Sequence, residues 1–177
     1  MPVNLELKAR FASLARAREC AAACGAAAQG TLVQQDTYFR VPHGRLKLRE
    51  IEGAEPELIF YDRPEENAER WSRFTRETVG NAPGLSVVLT DAFGVLAVVR
   101  KRRDLYLFRD ARIHIDEVEG LGTFVEFEVT GGKTAASVAT MKDLRNAFGI
   151  ADESVVKASY SDMVLAKKAA KRISGGT

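Results

Sequence analysis

The chain has little with which to cross-link itself. Its 177 residues include two cysteines, two histidines, one tryptophan and five prolines. Cys20 and Cys24 stand four apart in an alanine-rich helical stretch and face the same way, a poor geometry for a disulfide. Two cysteines make no metal site alone, so they read as small apolar residues on a buried helix face. No apolar run approaches the roughly 18 residues that span a bilayer. The N-terminus starts directly with strand-like sequence and shows no signal peptide, which makes the cytoplasm the expected address. An excess of one charge is also missing. The balance of 26 basic and 24 acidic residues leaves a net +2, too little for a general nucleic-acid binder. Any strong potential has to come from local placement.

What the chain does have is alternation. In NLELKAR, Asn4, Glu6, Lys8 and Arg10 alternate with Leu5, Leu7 and Ala9. In GRLKLRE, Arg45, Lys47 and Arg49 alternate with Leu46 and Leu48. The habit returns at Lys101 and Arg103, at Arg112, His114 and Asp116, and at Glu126 and Glu128. Side chains two apart in a strand share a face. The signs are sorted, with rows of cations and a separate pair of carboxylates, whereas a solvated face usually mixes them. Like charges on one face repel unless an anion lies between them. A sheet packed on helices with its charges in solvent is the plain alternative.

Length and composition suit a single soluble domain over 1–177, with a Lys-rich and Ser-Gly-Gly flexible tail from about 168. The patterns predict about eight strands joined mostly by turns, hence a largely antiparallel sheet. A helix is expected from Ser13 to about Ala28, with Gly30 ending the connection, and another over 81–94. Two more are expected over 133–149 and 153–172. Val95 to Arg103 reads as a strand, with a tight turn at Asp104 and a possible break at Asp110. Pro64 to Glu69 reads as a polar loop. His43 follows a proline in a turn and is expected to be exposed. Arg100 and Arg102 should point outward, opposite to Lys101 and Arg103.

In this order, NLELKAR, QQDTYF, GRLKLR, ELIFYDRPE, VRKRRDLYL, IHIDEVEGLGTFVEFEV and SYSDM resemble the motifs of the CYTH superfamily, the triphosphate tunnel metalloenzymes. The match covers roughly residues 3–165, and its later motifs are similar to the class IV adenylate cyclase branch. The resemblance implies an α+β fold: a closed antiparallel eight-stranded tunnel β-barrel with helices packed outside. It implies a triphosphate gripped by Lys8, Arg45, Lys47, Arg49, Arg63, Lys101 and Arg103. It implies Mg²⁺ or Mn²⁺ held by Glu6, Glu126 and Glu128, with Asn4 and Asp116 as further candidates, and a catalytic set of Glu6, Lys8, Lys101 and Asp116. Asn4 stands where the signature has its first Glu. An amide offers a carbonyl oxygen to a hard cation but no charge, so weaker metal binding is expected.

The expected reaction is ATP to cyclic AMP and pyrophosphate. Hydrolysis of tripolyphosphate or thiamine triphosphate is the alternative, and binding without turnover a third. Tyr38, Tyr61 and Tyr160 are candidates to border a nucleoside, although packing is the commoner role of such aromatics. Trp71 is a candidate cover for a barrel end. His114 shares the charged face and could line the tunnel. The expected partner is a nucleoside triphosphate or other triphosphate, with no nucleic acid and no membrane. The resemblance leaves a homodimer open, and no segment argues for one.

Overall fold

The strand Val3–Arg10 (β1) sorts its side chains to two sides. Leu5, Leu7 and Ala9 are buried in an apolar cluster, while Lys8 turns to the opposite, concave side of the sheet. The computed structural model describes residues 3–62 and 70–174. After β1 come α1 (Leu14–Ala23), β2 (Ala27–Phe39), β3 (Arg45–Ile51), β4 (Glu57–Asp62) and β5 (Arg70–Thr78). They are followed by α2 (Ala82–Phe93), β6 (Val95–Phe108), β7 (Ala111–Val118) and β8 (Gly122–Val129). The chain ends with α3 (Ala135–Phe148), a 3-10 turn at Asp152–Ser154, and α4 (Tyr160–Ser174). No helix among the described residues is long and apolar enough to cross a membrane.

The strands are antiparallel in the order β1-β5-β4-β3-β2-β6-β7-β8, and β8 pairs back with β1. The order returns on itself through a short seam. β1 meets β5 only along Val3–Glu6, opposite Arg70–Arg73. Past Glu6 no described residue of β5 lies beside β1. There the same edge is taken by the segment before α4: Val156 N–H donates to Lys8 O at 2.8 Å, and Ala9 bridges Val155. The expected α+β arrangement of eight antiparallel strands with helices outside is present. The strand order closes as expected, through a β1–β5 seam of four residue pairs among the described residues, and the curl is half-barrel-like.

The convex side carries the main core. Leu7, Ile113, Val125 and Phe127 meet Ala17 and Cys20 of α1 and Met141, Leu144 and Phe148 of α3. Phe127 is fully buried and stands edge-on to Phe148 at 5.0 Å. A smaller cluster seats α2, with Phe39 and Leu48 against Ala82 and Leu89. Cys20 is buried, Cys24 half-buried, and both are free thiols.

Three expectations change. The first helix stops at Cys24 rather than near Ala28, because Gly25 at φ 79° takes the left-handed conformation that ends it, and Ala27 is already in β2. Asp104 makes no turn: β6 runs unbroken, and the reversal falls at Arg109, which has φ 53°, and Asp110. Buried Asp104 accepts from Thr31 at 2.6 Å and Arg18 at 2.8 Å, and these bonds make a charged residue compatible with mid-strand. Residues 168–174, expected in a flexible tail, belong to α4.

Phe127→Ala is expected to cost about 3–5 kcal/mol in denaturant unfolding. Val87→Ala, at a position 61% exposed on α2, should stay within about 0.5 kcal/mol.

Candidate functional site

The concave side of the curl encloses a cavity of about 210 Å³. Its cations come from four strands: Lys8 of β1, Lys47 and Arg49 of β3, Arg76 of β5, and Lys101 and Arg103 of β6. Each pair sits at a two-residue spacing in its strand, so the pleat aims both members inward. Lys8, Lys47, Lys101 and Arg103 are buried. Arg100 and Arg102, one residue out of phase, are exposed as expected. Tyr38, Tyr61 and Phe74 line one part of the wall, and Ser159 and Tyr160, from the segment that enters α4, line another.

Two internal carboxylates hold four of these cations in place. Asp36 of β2, only 2% exposed, accepts from Lys47 Nζ at 3.0 Å, Arg49 Nε at 3.0 Å and Gln34 Nε2 at 3.0 Å. Asp116 of β7 is fully buried and takes both branches of Arg103 at 2.6 Å each. It also accepts from Lys101 at 3.4 Å and from Tyr160 Oη at 2.9 Å. Burial alone would raise these carboxyls. The charges of Lys47, Arg49 and Lys101 outweigh it at Asp36, as those of Arg103 and Lys101 do at Asp116, so both stay ionised. The lysines pay no comparable compensation. Burial, with repulsion from Arg49, brings Lys47 down to about 7 against the pull of Asp36. Burial and Arg103 likewise lower Lys101.

The acids of β1 and β8 form the remaining wall. Glu6 stands directly opposite Glu128, and Lys8 opposite Glu126. Glu126 accepts from Arg103 at 2.8 Å. Burial would raise its carboxyl, but Lys8 and Arg103 hold it well below the usual range. Glu128 accepts from Asn4 Nδ2 at 2.5 Å and from Arg112 at 3.3 Å. Among the described residues no three His, Cys, Asp or Glu side chains form a metal cage. The donors nevertheless fit a hard cation. Opposed Glu6 and Glu128 are the arrangement a divalent ion relieves, and Mg²⁺ binds through one or two carboxylates together with water and substrate phosphates.

The cavity thus gathers Lys8, Lys47, Arg49, Lys101 and Arg103 with Glu126 and Glu128. Four expected site residues lie apart from its lining: Asn4, buried on Glu128, and Arg45, Asp116 and Glu6. Arg45 forms a fork on Asp162 of α4 at 3.0 and 2.9 Å. Asp116 lies behind Arg103 and Lys101, engaged by both. Glu6 is half-buried beside Glu128. Arg63, the loop 64–69 and the Trp71 side chain lie outside the described residues. His43 is exposed, edge-on to Phe60. Sequence reasoning missed Asp36. The alternation of Gln34, Asp36 and Tyr38 in TLVQQDTYFRV already put a carboxylate on the inner face.

Fold and site together define a cation-lined β-cavity with an acidic wall. The CYTH domain model matches residues 3–160, and the chain belongs to that family. No curated protein matches it by sequence. Among solved structures it is similar to the PH1012 protein of Pyrococcus horikoshii OT3, with 22% identity and a TM-score of 0.83 over 93% of this chain and 99% of that one. It is also similar to a candidate adenylate cyclase from Vibrio parahaemolyticus, with 18% identity and a TM-score of 0.72 over 92% and 97%. A third relative is HpAC1 of Hippeastrum, a candidate adenylyl cyclase described as having dominant triphosphatase activity. It shares 15% identity over 94% and 96% of the two chains, with a TM-score of 0.70.

Lys47 generates a pH test. Its ammonium, with a pKa of about 7, discharges as pH rises through neutrality, whereas a bound anion favours the charged form. Above pH 7, tripolyphosphate binding should therefore take up a proton, and affinity should fall by up to about tenfold per pH unit. Lys47→Arg, whose guanidinium stays charged, should flatten this component in calorimetric titrations at pH 6.5 and 8.5. Equal slopes in the two proteins would exclude Lys47 as its source.

Proposed function

We propose that the protein is a metal-dependent enzyme that grips a triphosphate in this cavity and hydrolyses its terminal phosphoanhydride bond. The observation that carries the reading is the convergence of Lys8, Lys47, Arg49, Lys101 and Arg103 on one cavity that Glu126 and Glu128 also line. The cavity of about 210 Å³ is smaller than the roughly 300–1,000 Å³ of pockets enclosing drug-sized ligands. It suits a phosphate chain better than a whole nucleotide.

The two cation pairs divide the work. Lys47 and Arg49 bind oxygens of one part of the chain, and Lys101 and Arg103 those of another. Guanidinium forks fix orientation, and ammonium groups add compact charge. Lys8 stands opposite Glu126 and 4.0 Å from the Tyr160 ring centroid, and would neutralise charge at the reacting end. Glu6, Glu126 and Glu128 would hold Mg²⁺ or Mn²⁺, which neutralises phosphate charge and activates water when bound. Attack by water on the terminal phosphorus breaks its bond to the bridging oxygen, giving orthophosphate and diphosphate. The diphosphate keeps the bond electrons and stays on the cations until release. Catalysis of this kind relies on positioning and charge stabilisation.

A second reading is cyclisation of ATP, favoured by the ordered motifs of the cyclase branch. The ribose 3′-hydroxyl would then attack the α-phosphorus, and pyrophosphate would leave onto the same cations.

Product analysis separates these readings. With Mg²⁺ or Mn²⁺, tripolyphosphate, thiamine triphosphate and ATP are incubated side by side. Orthophosphate is expected, with kcat/KM reduced at least about 100-fold by Lys8→Ala or Glu128→Ala. Cyclic AMP without orthophosphate selects the cyclase. Binding without any product, in both the native protein and Asn4→Glu, selects a binding module. Unchanged turnover in both alanine variants sinks the active-site reading.

A further inference from the structure

His114 of β7 lines the cavity but has no part in the mechanism above. It is 7% exposed, and its Nδ1 is buried with no hydrogen-bond partner among the described residues. An orphaned buried nitrogen is a cost that an apolar side chain would avoid, so such a group calls for an explanation.

Its place in the sheet supplies one. Lys8 of β1, Glu126 of β8 and His114 of β7 stand opposite one another in register, and all three line the cavity. On its other side His114 faces Leu105 of β6, which has no polar side chain to offer. The neighbouring carboxylates are engaged elsewhere: Glu126 accepts from Arg103, and Asp116 from Arg103, Lys101 and Tyr160. An imidazole keeps at least one N–H to donate in either ring form. Among ammonium and guanidinium donors on flexible stems, it offers a phosphate oxygen a further hydrogen bond from a rigid ring.

We propose that His114 is a ligand-contacting residue whose imidazole N–H donates to an oxygen of the phosphate chain held by Lys101 and Arg103. This rests on the polyphosphate reading of the cavity. It goes beyond that reading by assigning a further donor whose loss should weaken binding while stabilising the empty protein.

The chain has two histidines, His43 and His114, which makes a direct test practical. Full-length protein labelled with ¹⁵N-histidine is titrated with tripolyphosphate without metal, and binding is followed in the same sample by ³¹P NMR. The ring nitrogens of His114 should shift on saturation while those of exposed His43 stay in place. Binding that leaves His114 unchanged overturns this proposal and leaves the polyphosphate reading standing. Absence of binding overturns both. In thermal melts, His114→Leu should raise the Tm of the free protein by about 2–4 °C through loss of the orphaned nitrogen. It should also weaken tripolyphosphate binding about tenfold. His114→Gln, which keeps an N–H donor, should recover part of that affinity. A His114→Leu protein with native affinity would make the imidazole a packing residue and overturn the proposal. If that variant fails to fold, the NMR titration of the native protein decides alone.

Discussion

The structure depends on two buried carboxylates. A cavity lined by cations from four strands is a like-charge cluster, and in a weakly polar interior its repulsion opposes folding. Asp36 answers on one side by holding Lys47 and Arg49, and Asp116 on the other by holding Lys101 and Arg103. Each acid stands on the strand next to its cations. Asp36 is opposite Arg49 across β2 and β3, and Asp116 opposite Arg103 across β6 and β7. The same ladders that build the sheet therefore set the ion pairs. Removing either acid would leave two cations, at least one of them buried, without their main counter-charge, a change that costs about 3–5 kcal/mol where a single buried pair is broken.

This arrangement also explains how the cavity stays competent for an anion. The internal acids orient the cations without cancelling them all, since Asp36, Asp116 and Glu126 serve Lys8, Lys47, Arg49, Lys101 and Arg103. Burial makes Lys47 and Lys101 easier to discharge than ordinary lysines, and in the proposed function an arriving polyanion would favour their charged forms. The C-terminal segment completes the wall. Val155 and Val156 pair beside Lys8 and Ala9 of β1, which carries Ser159 and Tyr160 into the cavity. Asp162, in the first turn of α4, then ties Arg45 at the start of β3 to the same end.

Much of this was legible because strand alternation is a local signal. The pleat makes Lys47 and Arg49, or Lys101 and Arg103, share a face whatever the rest of the chain does. The ordered motifs then implied that the face turns inward. What local pattern could not reveal was competition between partners far apart in sequence. Asp104 looked like a turn residue until Thr31 and Arg18 were found holding it in mid-strand. Arg45 continues the basic row of β3, yet Asp162, 117 residues away, draws it out of the cavity. Asp36 sat in plain alternation, but its importance follows from cations on two other strands. Gly25 was the exception, a local stop signal passed over in favour of Gly30.

Asn4 shows how one departure in a pattern changes its physics. In the structure the amide is buried and donates Nδ2 to Glu128, so its carbonyl oxygen faces away from that carboxylate. It orients Glu128 without adding to the negative charge. The row in which Glu6 and Glu128 stand opposed thus carries one carboxylate fewer than the family signature would place there. Fewer like charges mean less repulsion while no cation is bound, and the acidic wall is easier to fold beside Lys8 and Arg112. The same subtraction lowers the field that would attract a second divalent ion. The amide that relaxes the empty wall therefore narrows what the filled one can hold.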